Sequence, residues 1–392
     1  MMGPILHLVL EGRFYIAQGI DQLPDSDKFR MFTPDPAIKY FAFCDDFGPM
    51  NMSCISQFVR QLDQELAEHP SSRLFYCVED DRRSLTNAVF LLGAYMLLRR
   101  KATLDEVVDC FSWVSEDLAE EYRDATFCEA SFRLSLEDCW RGLAKGMHKG
   151  WVSPPSPDAK DDEMWDEMWG EIHMAEYSHY DDPLNGDLHE VVPGKLVAFK
   201  GPCDLDGLEY HDGKHGYRRF SPSYYVEILK ELGVRTVVRL NEAEYDGRGF
   251  SEEGLGFEDL HFDDCTAPPP EVVEAFLAAV DGAGGAVAVH CKAGLGRTGT
   301  LIGVYLMRSE GFTAREAMGW LRIMRPGSVI GEQQHYLCAV EKEMESERTA
   351  CFWGREWRRM RGCGLEEAAE QGRQVAAGMI RRGARSAEVN LY

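Results

Sequence analysis

Hydrophobic and polar positions change their spacing several times along the chain, and each change marks an element. Arg13-Phe-Tyr-Ile-Ala17 and Leu74-Phe-Tyr-Cys77 are short, β-favouring runs with polar flanks, the pattern of strands. Asn87–Arg100 is apolar over a helical length; its run from Asn87 to Leu98 is too short to cross a bilayer and predicts a buried core helix. Thr236-Val-Val-Arg-Leu240 and Ala286-Val-Ala-Val-His290 read as buried strands of a second α/β segment, Val192 to about Glu343. Between the segments, Ser153-Pro-Pro-Ser-Pro157 signals turns. Asp158–Glu190 is dense in acid and reads as a helix with Trp165 and Trp169 on one face. The expected organisation is a first domain over 1–150, an acidic linker over 151–190, a second domain over 191–345 and an Arg-rich C-terminal extension over 346–392.

The pattern also repeats. Leu91-Leu-Gly-Ala-Tyr95 returns as Leu301-Ile-Gly-Val-Tyr305, and Thr103 and Glu106 return as Thr313 and Glu316 at the same offset. Each copy follows a strand that ends at a cysteine, Cys77 or Cys291, which predicts duplicated domains.

Charge narrows the partners. With 66 acids against 42 bases the net charge is −24. That balance disfavours nucleic acid and anionic lipid and favours partners with positive charge. The 12 cysteines include no C-x-x-C pair, which argues against a structural zinc site and fits a reduced, intracellular setting. Met1–Leu10 lacks the basic start of a signal peptide. Neither metal nor cofactor is expected, nor membrane insertion.

The chemistry concentrates in His290-Cys-Lys-Ala-Gly-Leu-Gly-Arg-Thr-Gly299, between an apolar strand and a helical pattern. Cysteine, five residues, then arginine is a span whose successive N–H groups can wrap one tetrahedral phosphate. Lys292, Ala293, Gly294, Leu295 and Gly296 would form that cradle, the glycines allowing tight curvature and close approach. The helix that follows contributes the partial positive charge of its N-terminus, and the Arg297 fork can grip two phosphate oxygens. The same field stabilises a thiolate at Cys291, the form that attacks phosphorus in line to give a phosphocysteine. Thr298 is placed to hydrogen-bond the sulfur as it leaves, and His290 to orient the loop. A leaving oxygen needs a proton. Asp264 is the candidate donor, in Leu260-His-Phe-Asp-Asp-Cys-Thr-Ala-Pro268, with Asp263 its rival. The counterpart Cys77-Val-Glu-Asp-Asp-Arg-Arg83 keeps the cysteine–arginine spacing, but it has no glycine and places three acids where a dianion would sit. It reads as a vestigial copy.

His290–Thr300, Gly201-Pro202, Val238-Arg-Leu-Asn241 and Arg325-Pro-Gly-Ser-Val-Ile-Gly-Glu-Gln-Gln-His335 together resemble the cell-division-cycle-fourteen dual-specificity phosphatases. Asp45–Asn51, Tyr122–Thr126 and Asn185-Gly-Asp187 extend the likeness over roughly residues 10–345. The resemblance implies an α/β fold of two tandem cysteine-phosphatase-like domains, each a central mixed sheet flanked by helices, with the second active. It gives Cys291 the nucleophile's role, Arg297 the clamp's and Asp264 the acid's, though relatives carry Asp-Gly-Ser-Thr-Pro where this chain has Asp-Cys-Thr-Ala-Pro. It makes Gln333 or Gln334, with Gln333 preferred, the residue that positions water. It places Asp181, in Glu176-Tyr-Ser-His-Tyr-Asp181, opposite a basic residue of a phosphoserine-proline substrate, with Ser178 where relatives have an acid. The implied setting is cell-cycle control in cytoplasm and nucleus, with nucleolus, centrosome, spindle or cilium as further sites. Two alternatives remain: a phosphoinositide phosphatase, whose loop also begins His-Cys-Lys-Ala-Gly but carries a second lysine where Leu295 stands, and a catalytically silent phosphoprotein scaffold.

Overall fold

The computed structural model describes residues 5–10, 12–20, 28–127, 129–156, 168–213 and 217–361. The first half begins with β1 (Ile5–Leu10) and β2 (Phe14–Gln18), an antiparallel pair. β3 (Phe29–Phe32) and, beyond helix α1 (Met52–Glu68), β4 (Arg73–Val78) join in parallel, so the sheet runs β1-β2-β4-β3. α2 (Arg82–Arg100) follows β4 and is buried from Leu85 to Leu98 without a break, as its unbroken apolar run predicts. α3 (Leu104–Cys110) and α4 (Leu136–His148) complete this half.

The linker departs from the expectation of one acidic helix. Trp169 lies in a small hairpin, β5 (Met168–Trp169) and β6 (Ile172–His173), and is fully buried. Gly170 turns the chain with φ +72°, and a Cβ there would meet the carbonyls of Gly150 and Trp151 at 2.8 Å, so a helix cannot run through. Only then does a helix form, α5 (Met174–Asp181). Trp165, and with it the rest of the predicted helix up to residue 167, lies outside the described residues.

The second half repeats the plan of the first. β7 (Leu188–Val192) pairs antiparallel with β8 (Leu196–Phe199). After a hairpin, β9 (Tyr210–Asp212) and β10 (Arg218–Phe220), come α6 (Pro222–Glu231), β11 (Val234–Arg239), α7 (Arg248–Ser251), β12 (Gly256–Asp259), α8 (Pro270–Gly282) and β13 (Ala286–His290). β13 lies between β8 and β11, parallel to both, in the order β12-β11-β13-β8-β7. Thus β1, β2, β4 and β3 correspond to β7, β8, β13 and β11, and β12 is the added edge. The core here gathers Val197, Phe199, Tyr225, Leu229, Val237 and Ala288. α9 (Gly296–Tyr305) leaves β13, continues as a π-helical turn over Leu306–Glu310, and leads to α10 (Ala314–Met324) and α11 (Glu332–Arg361).

The echoed Thr–Glu pairs turn out to be the same device twice. Thr103 and Thr313 each accept the N–H of Glu106 or Glu316, and each glutamate reaches back to its threonine's N–H. The halves meet where α4 crosses α10. A Cβ on Gly142 would lie 2.6 Å from the Glu316 carbonyl, and one on Gly319 2.6 Å from that of Asp138, so the two backbones touch. Met1–Cys338 accordingly form one compact unit. Ala339–Tyr392 form another, described only as helix α11 up to Arg361.

Candidate active site

Cys291 is the first residue after β13 and is 3% exposed. The chain then turns through Lys292–Leu295 into α9. What shapes this turn is the capture of its carbonyls on the outer side. The Cys291 carbonyl accepts from His290 Nδ1 at 3.1 Å, and that of Lys292 from the Gly201 N–H at 3.1 Å. Those of Ala293 and Gly294 accept from Arg325, at 3.0 and 2.8 Å. That of Leu295 accepts from the N–H groups of Gly299 and Val329, at 2.9 and 3.3 Å. In a planar trans peptide the N–H points opposite the C=O, so five outward carbonyls turn the next five amides inward. Close packing makes the glycines obligatory: Gly294 has φ +69°, and a Cβ there would lie 2.1 Å from the Phe199 carbonyl. The N-terminus of α9 carries no side-chain cap, which leaves its amides to an external anion.

Arg297, 1% exposed, is held by Nη1 on the carbonyls of Phe262 and Leu240 at 3.0 and 3.4 Å. Its Nε lies 3.3 Å from Asp264 Oδ1. The structure therefore brings Asp264 to Arg297, while Asp263 turns to solvent and uses its carbonyl to accept the Thr266 hydroxyl at 2.8 Å. The Asp264 side chain is 57% exposed on a loop, where it also accepts the Cys265 N–H at 3.0 Å. Gln333 is fully buried; its amide donates to the Thr266 carbonyl at 3.2 Å, and its oxygen would lie 2.9 Å from a Cβ on Gly296. It thus bridges the cradle and the acid-bearing loop. Gln334 instead accepts from the buried Arg322 at 2.7 Å, away from that junction. Thr298 is buried, and its hydroxyl has no hydrogen-bond partner among the described residues; a bond from it to the Cys291 sulfur is not present.

His290 is fully buried. Its Nδ1 faces a carbonyl, which only accepts, so Nδ1 carries the proton and Nε2 accepts the Tyr245 hydroxyl at 2.7 Å. Burial pushes its pKa down to about 3. It is neutral and orients the loop, as expected.

Several contributors escaped sequence reading. Arg325 belongs to a motif that was visible, but its grip on the loop was not. Glu242 approaches Arg297 Nη1 at 3.8 Å. From the first half, Asp124 accepts the Gly331 N–H at 2.7 Å and so anchors the turn that carries Gln333. Asn51, the N-cap of α1, donates to Asp181 at 2.8 Å. Asp181 lines a cleft of about 430 Å³ beside the cradle, with Asp182, Asp187, Leu295, Phe41 and Phe43. Ser178 shares a 2.9 Å hydrogen bond with Ser53.

A duplicated, mainly parallel sheet with an anion cradle at the carboxyl end of its central strand defines the cysteine-based phosphatase fold. Residues 8–146 match the family "Dual specificity protein phosphatase, N-terminal half", and residues 226–343 match "Dual specificity phosphatase, catalytic domain". "Dual specificity protein phosphatase CDC14A" of Mus musculus is 34% identical over 346 residues, which cover 88% of this chain and 53% of that protein. "Tyrosine-protein phosphatase CDC14" of Saccharomyces cerevisiae is 32% identical over 334 residues, covering 84% and 57%. "Tyrosine-protein phosphatase cdc-14" of Caenorhabditis elegans is 36% identical over 313 residues, covering 77% and 41%. This chain belongs to the CDC14 family of dual-specificity phosphatases. It spans about half the length of the curated relatives it matches.

Proposed function

We propose that the chain hydrolyses phosphoserine, phosphothreonine and phosphotyrosine in proteins through a phosphocysteine intermediate. The observation that carries this reading is the cradle: inward amides, an uncapped helix N-terminus and a buried Arg297, all beside Cys291. Cys291 attacks phosphorus while Arg297 and the amides of Lys292–Gly296 hold the equatorial oxygens. Asp264 protonates the leaving oxygen and then takes a proton from water. Gln333, between cradle and acid loop, orients that water, and the Thr298 hydroxyl stabilises the departing thiolate.

Substrate choice follows from charge. The cleft beside the cradle carries Asp181, Asp182 and Asp187, and its rim carries Phe41 and Phe43, 69% and 60% exposed. Such a cleft suits a phosphoserine-proline segment with a lysine or arginine close by, and a role opposing proline-directed kinases in cell-cycle control in cytoplasm and nucleus. The test is release of phosphate from an aryl phosphate, a phosphoserine-proline-lysine peptide and a phosphoinositide in parallel. Turnover of the first two supports the proposal. Preference for the lipid, or no turnover of any, would overturn it.

A further inference from the structure

The Arg325 guanidinium that holds the Ala293 and Gly294 carbonyls is itself held from behind. Its Nη1 donates to His189 Nδ1 at 2.9 Å, and Nη1 and Nη2 reach the carbonyl and carboxylate of Asp187 at 3.0 and 2.8 Å. Arginine only donates, so His189 Nδ1 must accept, and the ring proton sits on Nε2. That proton points at Asp181 Oδ1, 2.9 Å away, and Asp181 Oδ2 takes the Asn51 amide. His189 is 3% exposed, and both its ring nitrogens are committed. A continuous hydrogen-bonded chain therefore runs from the N-cap of α1 in the first half, through Asp181, His189 and Arg325, to two peptides of the phosphate cradle.

We propose that His189 is a positioning residue for phosphate binding: with Asp181 behind it, it fixes the Arg325 guanidinium so that the amides following Ala293 and Gly294 point at the anion. The inference rests on the phosphatase reading of the cradle and adds a role for Asp181 that needs no basic residue on the substrate. The direction of each bond supports it. Asp181 is an ionised acceptor: burial acts to raise its carboxyl, but the hydrogen bonds from His189 and Asn51 and the Arg325 charge hold it below the usual carboxylate range. His189 is kept neutral by burial and by the same Arg325 charge, so its Nδ1 lone pair stays available to the guanidinium. Without His189, Asp187 alone would hold the outer edge of Arg325, and the guanidinium could rock about that anchor and carry both loop carbonyls with it.

The test reads oxyanion binding apart from chemistry. Tungstate occupies a phosphate cradle without turnover, so its Kd reports the loop. His189→Phe keeps the ring but removes both hydrogen bonds. It is expected to weaken tungstate about tenfold, the scale for loss of a hydrogen bond to a charged group. The KM for an aryl phosphate should rise with it, and kcat should change less. His189→Gln, whose carboxamide offers one acceptor and one donor, should recover most of the affinity, which a purely volumetric role would not allow. Asp181→Ala, at a position 30% exposed, should weaken tungstate about threefold by the same logic even though tungstate has no basic group. Wild-type tungstate affinity in a folded His189→Phe protein, or in Asp181→Ala should the former fail to fold, would overturn the proposal. So would failure of His189→Gln to improve on His189→Phe. Turnover by the unsubstituted protein tests the phosphatase reading separately, because it requires Cys291 and tungstate binding does not.

Discussion

The β4–α2 and β13–α9 units share a place in their sheets, yet they treat the helix N-terminus in opposite ways. In the second half, β13 ends at His290 and five residues, Cys291–Leu295, intervene before α9. In the first, β4 runs on through Cys77 to Val78, and only Glu79–Asp81 precede α2. α2 begins nine residues ahead of the echoed Leu91, whereas α9 begins five ahead of Leu301, a difference of about one helical turn. That extra turn replaces the cradle. The Asp81 carboxylate then caps α2 by accepting the Ser84 N–H at 2.9 Å, an internal anion where the second half leaves its amides open. Gln18 ties the carbonyls of Glu79 and Asp81 together at 2.9 and 3.1 Å. Arg83 is drawn off to Glu120 at 3.0 Å, and burial pushes the Cys77 thiol up, away from a thiolate. The equal cysteine–arginine spacing of the two loops therefore conceals different geometry. The first half meanwhile serves the second through Asp124 and Asn51.

The sharpest way to break this comparison is paired cysteine substitution. Cys291→Ser should abolish aryl phosphate turnover, because an un-ionised hydroxyl replaces the nucleophile. Cys77→Ser should leave it nearly intact; a large loss in that variant, with normal thermal unfolding, would make the first half catalytic. Next, Asp264→Asn should cost on the order of 10²–10⁴ in kcat on alkyl phosphoesters, and much less on aryl esters with acidic leaving groups. The opposite result, with Asp263→Asn carrying the loss, would contradict the pairing of Asp264 with Arg297.

His290 gives the second half an acid sensitivity of its own. Its folded pKa of about 3 lies below the ordinary 6.5, so between those values the unfolded chain binds the additional proton. Stability from this group is fully present above pH ~6.5 and is lost as pH falls, by up to about 1.4 kcal/mol per unit. Urea unfolding at pH 7, 6 and 5 should show a shallower pH slope for His290→Gln than for the unsubstituted chain. An unchanged slope would mean that His290 titrates alike in the folded and unfolded chain.

Asp81→Ala should lower stability by about 1 kcal/mol, the usual worth of an N-cap, in denaturant titration. It should produce no phosphatase activity in a Cys291→Ser background, since the three-residue turn still cannot wrap a phosphate. The smallest effect concerns the cleft. A phosphoserine-proline peptide with lysine two or three residues beyond should exceed its alanine counterpart a few-fold in kcat/KM, the scale of a partly exposed ion pair of about 0.2–1 kcal/mol. Salt should shrink that gap within a Debye length of ~8–10 Å. Equal rates at low salt would remove the electrostatic account of selectivity and leave the chemistry standing.

The sequence by itself determined the features whose physics is local. Cys291, the glycines and Arg297 are legible because wrapping a phosphate demands those residues at that spacing. The buried α2, the strands β4 and β13, and the paired capping boxes follow from periodicity and from contacts within a few residues. Tertiary structure decided the rest. Where β4 ends, and hence whether its loop can hold an anion, depends on pairing with β2 and β3. Gly170 breaks the predicted linker helix because it must pass two carbonyls belonging to residues 150 and 151. Whether Asp263 or Asp264 meets Arg297, and that Arg325, His189, Asp181 and Asn51 join in one chain, depends on elements far apart in sequence. No local pattern marks a side chain whose partners arrive only when sheets and helices pack, and burial there turns each single hydrogen bond into a constraint on the loop.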